Sequence, residues 1–306
     1  MAGCTEEIFK RIRKAIGIYI NIRINGIMIM KKIVVIGAGG YIGRHVVSTL
    51  LDMGHDVVAV DINTELIDER AKTVNLSIFE DNKNLFNLLG EPDVCVHLAW
   101  RNGFVHNADT HIGDLSAHFM FIKNMIDAGL KNIAIMGTMH EVGYWEGAID
   151  EDTPCNPLSQ YGIAKNALRQ AVFQFSEGKD VNVYWLRAYY ILGDDTKNHS
   201  IFTKILKADK NEQEFFPFTT GKTLYDFISV DELSKQIACT VSQDEITGVI
   251  NVCTGRPISL AERTEQFINE HNLSIKLKYG AYPDRPYDSP GTWGNPDKIN
   301  EIMSKK

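Results

Sequence analysis

The chain of 306 residues predicts an α/β protein: a doubly wound parallel sheet with a smaller C-terminal lobe. Two observations predict it. From Lys31 onward, short β-branched runs alternate with amphipathic stretches, the pattern of βαβ units whose parallel strands are covered on both faces. After Leu186 that alternation gives way to shorter, less regular elements. The composition agrees, since 44% hydrophobic and 23% charged residues suit a globular chain with core enough for about two domains.

Taken in order, residues 32–36 read as a buried strand, followed by a glycine-rich turn and a helix to about Met53. A second strand at 56–60 ends at Asp61, and further strands fall at 94–98, 132–136 and 181–186, with helices near 108–128 and 158–177. Beyond them a helix near 200–209, a strand at 225–230, a helix at 231–242 and a strand at 249–252 precede a proline-rich tail. This divides the chain into a sheet domain over 31–186, to which 225–253 returns, and a lobe made of 187–224 and 254–306, with a cleft between them.

The first thirty residues differ in character. Residues 1–32 carry seven Lys/Arg against Glu6 and Glu7, a local charge of +5 that leaves −12 on the rest of a chain of net charge −7. Nine isoleucines run through the segment, first at helical and then at strand spacing, and Arg23 interrupts the only stretch long enough for a signal peptide. Residues 1–30 are expected to be an extension without catalytic role, with Met28 or Met30 as the working start. A basic amphipathic membrane-surface anchor is the alternative.

The acidic balance excludes an electrostatic footprint for nucleic acid. Cys4, Cys95, Cys155, Cys239 and Cys253 are scattered, with no CxxC pair, which points to reduced thiols in a cytoplasmic protein. No run of about 18 uncharged apolar residues exists, so no membrane span is expected. His106 and His111 are badly spaced for ligation from one helix face and His97 falls within a strand, so no metal is expected.

The turn Gly37-Ala-Gly-Gly-Tyr-Ile-Gly43 lies directly between a buried strand and a helix. Gly37 permits the tight turn, Gly40 lets backbone approach a pyrophosphate, and Gly43 lets helix and strand pack closely. Tyr41 and Ile42 open the helix whose N–H groups face the phosphates. Asp61, 24 residues beyond Gly37, can accept hydrogen bonds from the adenosine ribose and would repel a 2′-phosphate. Neither Ile62 nor Asn63 supplies a cation, so NAD(H) is favoured, with NADP(H) the alternative, on a Rossmann domain.

Tyr161 and Lys165 stand one helical turn apart, and Thr138 ends a strand 23 residues upstream of the tyrosine. A phenol near pKa 10 is a poor base at neutral pH, and a neighbouring ammonium brings it within range. A hydride carrier beside such a phenol is equipment for alcohol/ketone interconversion.

With these motifs, the chain resembles the extended short-chain dehydrogenase/reductases of the NAD-dependent epimerase/dehydratase family, which act on nucleotide sugars. The same order continues through Pro92–Ala99 (Pro-Asp-Val-Cys-Val-His-Leu-Ala), Leu186-Arg187, Gly193, the run 225–233, the run 250–255 and Arg285-Pro-Tyr-Asp288. The resemblance implies that Tyr161 is the acid/base, that Thr138 assists it and that Lys165 binds the nicotinamide ribose. Leu98 and Ala99 would line the cofactor, and Arg285 would grip the substrate diphosphate. It also implies a homodimer through the helices near 108–128 and 158–177.

The departures are informative. The family's usual His-x-Ala-Ala becomes His97-Leu-Ala99-Trp100, followed by Arg101, which bulks up the cofactor-side wall. Met139 and His140 stand where sugar dehydratases carry Asp-Glu, so dehydratase chemistry is expected to be lost. Tyr190 replaces a sugar-contacting asparagine, and Asn75 an acidic residue near the adenine. His140 is expected on the sugar side as a substrate contact, the alternative being a loop histidine turned to solvent or paired with Glu141. The leading expectation is hydride transfer at C4, reducing a nucleoside-diphosphate 4-keto-6-deoxyhexose. The rival is a 4-epimerase with tightly held NAD, and a dinucleotide-sensing regulator without turnover is more remote.

Overall fold

The computed structural model describes residues 30–80, 84–193, 200–284 and 289–305. The extension up to Ile29 and Arg285 lie outside the described residues. Seven parallel strands form the main sheet: β1 (Lys32–Ile36), β2 (Asp56–Asp61), β3 (Lys72–Asn75), β4 (Val94–His97), β5 (Asn132–Thr138), β7 (Asn182–Ala188) and β11 (Gly248–Val252). Their order is β11-β7-β5-β4-β1-β2-β3. The chain leaves β1 toward β2 on one side and resumes at β4 on the other. The carboxyl ends of β1 and β4 therefore border the crevice where a doubly wound sheet binds its ligand.

The strand sequences explain the two-sided cover. In β1, Ile33 and Val35 pack with Val46 and Leu50 of the helix Tyr41–Asp52 and with Leu233 and Ile237 of the helix Val230–Ser242. Val34 and Ile36 point the other way, onto Phe121, Ile122 and Met125 of the helix Leu115–Asp127 and Leu168 and Val172 of the helix Gln160–Ser176. A run without polar alternation is what burial on both faces requires. Ser159, Ser200, Ser229 and Ser259 each accept a hydrogen bond from a first-turn N–H, which fixes where four helices begin.

A second sheet of five strands joins β6 (Gly147–Ile149), β8 (Tyr190–Leu192), β10 (Leu224–Ser229), β12 (Pro257–Ser259) and β14 (Gly291–Gly294). The strand expected at 225–230 thus lies in this smaller sheet, while the helix and strand that follow it return to the main one. Within 31–186, β6 also leaves for the smaller sheet, pairing with β14. The physical reason is Asp226, fully buried, whose carboxylate accepts from Thr254 N–H (2.9 Å), Thr254 Oγ1 (2.6 Å), Gly255 N–H (2.9 Å) and Gly294 N–H (3.2 Å). Thr254 and Gly255 lie in the loop before β12 and Gly294 ends β14, so β10 is tied to both. A third pair, β9 (Phe215–Pro217) with β13 (Lys276–Lys278), is parallel.

The helix expected over 108–128 is two helices, Thr110–Gly113 and Leu115–Asp127, which meet at Asp114. β3 was not anticipated because it is a short edge strand with mostly exposed residues. No described helix is long and apolar enough to cross a membrane. Leu50 has no exposed surface and sits between the two helices over β1. Leu50→Ala is expected to lower the unfolding free energy by about 2–5 kcal/mol, read as a lower urea midpoint at unchanged slope.

Candidate active site

A cleft of about 1160 Å³ opens at the carboxyl ends of β1, β4 and β5 and reaches residues of β8 and β10. At one end is the glycine turn. Gly37 has φ +83°, and its N–H meets Val60 O at 2.9 Å. A Cβ on Gly37 would lie 2.6 Å from Ala99 N, so the turn and the Leu98–Ala99 backbone are flush. A Cβ on Gly43 would lie 2.1 Å from Gly37 O, which is how the helix starts against the turn. Gly40, the residue before the helix, is exposed, and Tyr41 and Ile42 line the cleft beside it.

Asp61 faces this turn. Its carboxylate accepts from Gly39 N–H at 2.9 Å and Asn63 N–H at 3.1 Å. Gly39 is a residue sequence reasoning missed: a Cβ there would lie 2.1 Å from Asn63 O, so Asp61 shapes the loop that it was expected only to complement. The signal was the doubled glycine at 39–40. Glycine cradle, open helix end and carboxylate together fit a dinucleotide diphosphate and its adenosine ribose.

Thr138, Tyr161 and Lys165 all line the middle of the cleft. Burial pushes the Tyr161 phenol up, the Thr138 side chain opposes it and the Glu141 carboxylate adds to it, which leaves the phenol at about 12. Lys165 is buried, donates to Met136 O at 2.7 Å, and is lowered by desolvation to about 7. Its Nζ stands 3.8 Å from the centre of the Trp100 ring, a cation–π contact.

Trp100 organises the wall around them. It stacks on His118 at 4.5 Å and donates from Nε1 to His111 Nδ1 at 3.0 Å. An indole N–H only donates, so His111 Nδ1 is the acceptor and the proton sits on Nε2, which meets Val105 O at 2.9 Å. Trp100 and His111 thereby hold the loop over 101–108. Tyr161 N–H donates to His106 O at 2.8 Å, and Gln160 N–H to Asn107 Oδ1 at 3.2 Å, so the same loop also holds the start of the tyrosine's helix. Deeper in, His97 Nε2 and His118 Nδ1 are 3.0 Å apart, and burial lowers both imidazoles, so they are neutral. His118 Nε2 has no protein partner among the described residues, although the residue borders the cleft. A buried orphan beside Lys165 is a further sign that a polar ligand belongs there.

His140 lies in the cleft wall, 4.4 Å from His106 and 6.1 Å from Tyr161 between ring centres. It is not paired with Glu141. That carboxylate turns away, buried, to accept from Thr138 N–H (2.7 Å) and Trp185 Nε1 (2.9 Å), with Arg187 Nε at 3.7 Å and Arg169 Nε at 3.8 Å. Burial raises the Glu141 carboxyl while the Arg187 guanidinium opposes it. This buried group fixes the end of β5, where Thr138 sits, and the sequence offered only the Thr-x-x-Glu capping pattern as a signal. Tyr190 borders the far end of the cleft against Tyr225 (4.3 Å) and Phe227 (5.8 Å). Among the described residues no group of three His, Cys, Asp or Glu side chains stands ready to hold a metal.

Lys165 yields a stability prediction. With a folded pKa of about 7 against an ordinary 10.5, the unfolded chain binds more protons between those values. The lysine's contribution to stability therefore rises with pH across that window and is flat below it. Wild-type stability relative to Lys165→Met should increase by on the order of a few kcal/mol from pH 7 to pH 10 in urea unfolding.

The chain is 46% identical over 267 residues to the dTDP-6-deoxy-L-talose 4-dehydrogenase (NAD(+)) of Aggregatibacter actinomycetemcomitans, covering 86% of this chain and 98% of that protein. Among solved structures it resembles the UDP-N-acetylglucosamine 4-epimerase of Methanobrevibacter ruminantium, with TM-score 0.78 and 20% identity over 90% of this chain and 92% of that one. It also resembles the UDP-glucuronic acid 4-epimerase of Bacillus cereus in complex with UDP-glucuronic acid and NAD, with TM-score 0.75 and 20% identity over 90% and 93%. At that identity the two structures establish the shared fold. A model of the NAD dependent epimerase/dehydratase family matches residues 33–253, and the chain belongs to that family.

Proposed function

We propose that the protein is an NAD-dependent oxidoreductase that interconverts a dTDP-4-keto-6-deoxyhexose and the corresponding 6-deoxyhexose by hydride transfer at C4. The observation that carries this reading is the 46% identity to a dTDP-6-deoxy-L-talose 4-dehydrogenase along 98% of that protein's length. Its support in the cleft is Thr138, Tyr161 and Lys165 side by side, without the Asp-Glu pair that dehydration needs.

Gly37, Gly40, Tyr41, Ile42 and Gly43 would hold the cofactor diphosphate, Asp61 the adenosine ribose, Leu98 and Ala99 the inner face, and Lys165 the nicotinamide ribose. The bound cofactor supplies or accepts the hydride. Thr138 Oγ1 holds the C4 oxygen, and the Tyr161 hydroxyl gives that oxygen its proton in reduction. A phenol at about 12 is a weak acid in the free cleft, and Lys165, when protonated, would favour the phenolate left behind. His140 faces the sugar ring, and Tyr190 the substrate beyond it, while Arg285 is proposed for the diphosphate on its sequence motif alone. The sheet domain and lobe keep the division at 31–186 with 225–253 and at 187–224 with 254–306, amended by the crossing of β6 and β10.

A 4-epimerase with retained NAD is the second reading, favoured by relatives such as the UDP-arabinose 4-epimerase 1 of Arabidopsis thaliana, 23% identical over 89% of this chain and 74% of that protein. We also propose a cytoplasmic homodimer joined along the helices Leu115–Asp127 and Gln160–Ser176, whose outer faces expose Met120 and Ile163. Cys95, Cys155, Cys239 and Cys253 are free thiols, in keeping with a reducing compartment.

Purified protein mixed with NADH and a dTDP-4-keto-6-deoxyhexose should lose nicotinamide absorbance in proportion to keto sugar. Absence of that loss, with NAD released on denaturation, would instead establish the epimerase. Tyr161→Phe should reduce turnover about 10²–10⁴-fold while the dissociation constant for NADH, read by fluorescence titration, stays within about twofold.

A further inference from the structure

A net reduction consumes one proton from solvent in every cycle, whereas an epimerase returns the same proton to the tyrosine it came from. Resting on the reductase reading, Tyr161 must be reprotonated after each turnover through groups that reach water. Lys165 is badly placed for this task. Its Nζ donates to Met136 O, lies against the Trp100 ring and would hold the nicotinamide ribose, and only 3% of the residue is exposed. His111 is also excluded, because both ring nitrogens are engaged, one by Trp100 Nε1 and the other by Val105 O.

Of the three imidazoles packed on the Tyr161 ring, two remain. His106 stacks nearly parallel on the Tyr161 ring, with centres 5.5 Å apart and planes at 20°, and it meets His140 edge to face at 4.4 Å. His140 in turn meets Tyr161 edge to face at 6.1 Å. Neither imidazole makes a hydrogen bond to protein among the described residues. Both border the cleft, and His106 is half-buried on the loop 101–108 at its rim, next to exposed Phe104 and Val105. The backbone fixes the arrangement independently of the ring, because Tyr161 N–H is bound to His106 O. A neutral imidazole has one N–H and one lone pair, so it takes a proton on one nitrogen and releases another from the second. Burial keeps both rings in that neutral form.

We propose that His106 and His140 form the proton relay that recharges Tyr161 from solvent. When the hydride reaches C4, the carbonyl π pair moves onto oxygen and takes the Tyr161 proton. The phenolate then takes a proton from His140, directly or through one water or sugar hydroxyl. As it releases that proton, His140 takes another from His106 through an intervening water, and His106 takes one from bulk water. The sum is one hydride and one solvent proton per alcohol formed, and both rings end neutral.

The decisive experiment is rapid mixing of wild-type and His106→Phe enzyme, saturated with NADH, against dTDP-4-keto-6-deoxyhexose. Phenylalanine keeps the ring stacking and the backbone acceptor but cannot carry a proton. The first turnover uses the proton already on Tyr161, so its rate should stay within about twofold of wild type, while later turnovers slow about 10-fold or more. The trace then becomes a burst of one NADH per site, and the solvent deuterium isotope effect on the slow phase increases. Added imidazole should restore the slow phase of His106→Ala but not of His106→Phe. Independently of activity, exchange of the His140 ring N–H with water, read by NMR on ring-labelled protein, should slow in His106→Phe. A first turnover slowed as much as the later ones would reduce His106 to a structural role, and unchanged kinetics in both phases would overturn the relay. A wild-type enzyme that consumes no NADH would overturn the reductase reading, and with it the need for any relay.

Discussion

The buried carboxylate of Glu141 is the constraint on which the reactive half of the cleft depends. It gathers the end of β5 through Thr138 N–H, β7 through Trp185 and Arg187, and the helix Gln160–Ser176 through Arg169. Thr138 and Tyr161 lie on two of these elements, so their separation is set by a group that touches neither substrate nor cofactor. Arg187 extends the knot by donating to Asp150 O at 2.8 Å, next to β6 of the smaller sheet. Burying an ion pair is costly and adds little net stability against an apolar core, but removing one partner strands the other. Such a knot is best understood as fixing geometry.

Asp226 plays the corresponding part at the far side of the cleft, where four hydrogen bonds hold β10 to the loop before β12 and to the end of β14. The main sheet needs no comparable device, because its apolar runs are buried on both faces and specify their own register. The smaller sheet consists of strands three to six residues long, too short to be defined by burial alone. It is held by specific polar contacts instead, and its side of the cleft is correspondingly the easier one to re-tailor.

This contrast explains what was legible in the sequence. Continuous β-branched runs announced the main sheet, whereas the helix Leu260–Glu270 was hidden in a stretch read as a proline-rich tail. Glycines at 37, 40 and 43 stood out because backbone geometry requires them, and Thr138, Tyr161 and Lys165 because their chemistry is specific. The destination of β10 was not legible, since a strand of alternating character fits either sheet. β6 was missed because three residues carry almost no periodic signal. Helix-face spacing separates the histidines, yet the 101–108 loop brings His106, and the short helix after it His111, to within 5.5 Å and 5.2 Å of the Tyr161 ring. Spacing along the chain says nothing about convergence in space.

Trp100 also gives the cleft an optical property. Its indole stacks on His118, lies under the Lys165 ammonium and donates to His111. Indole emission overlaps the absorption of a reduced nicotinamide, and a ring stacked on one imidazole and hydrogen-bonded to another senses small changes in either. The three other tryptophans lie elsewhere, Trp185 in the core of β7, Trp145 in the loop before β6 and Trp293 in β14. The protein therefore carries a native fluorophore in the wall of its cleft, so occupancy of the cleft can be followed by light without any label.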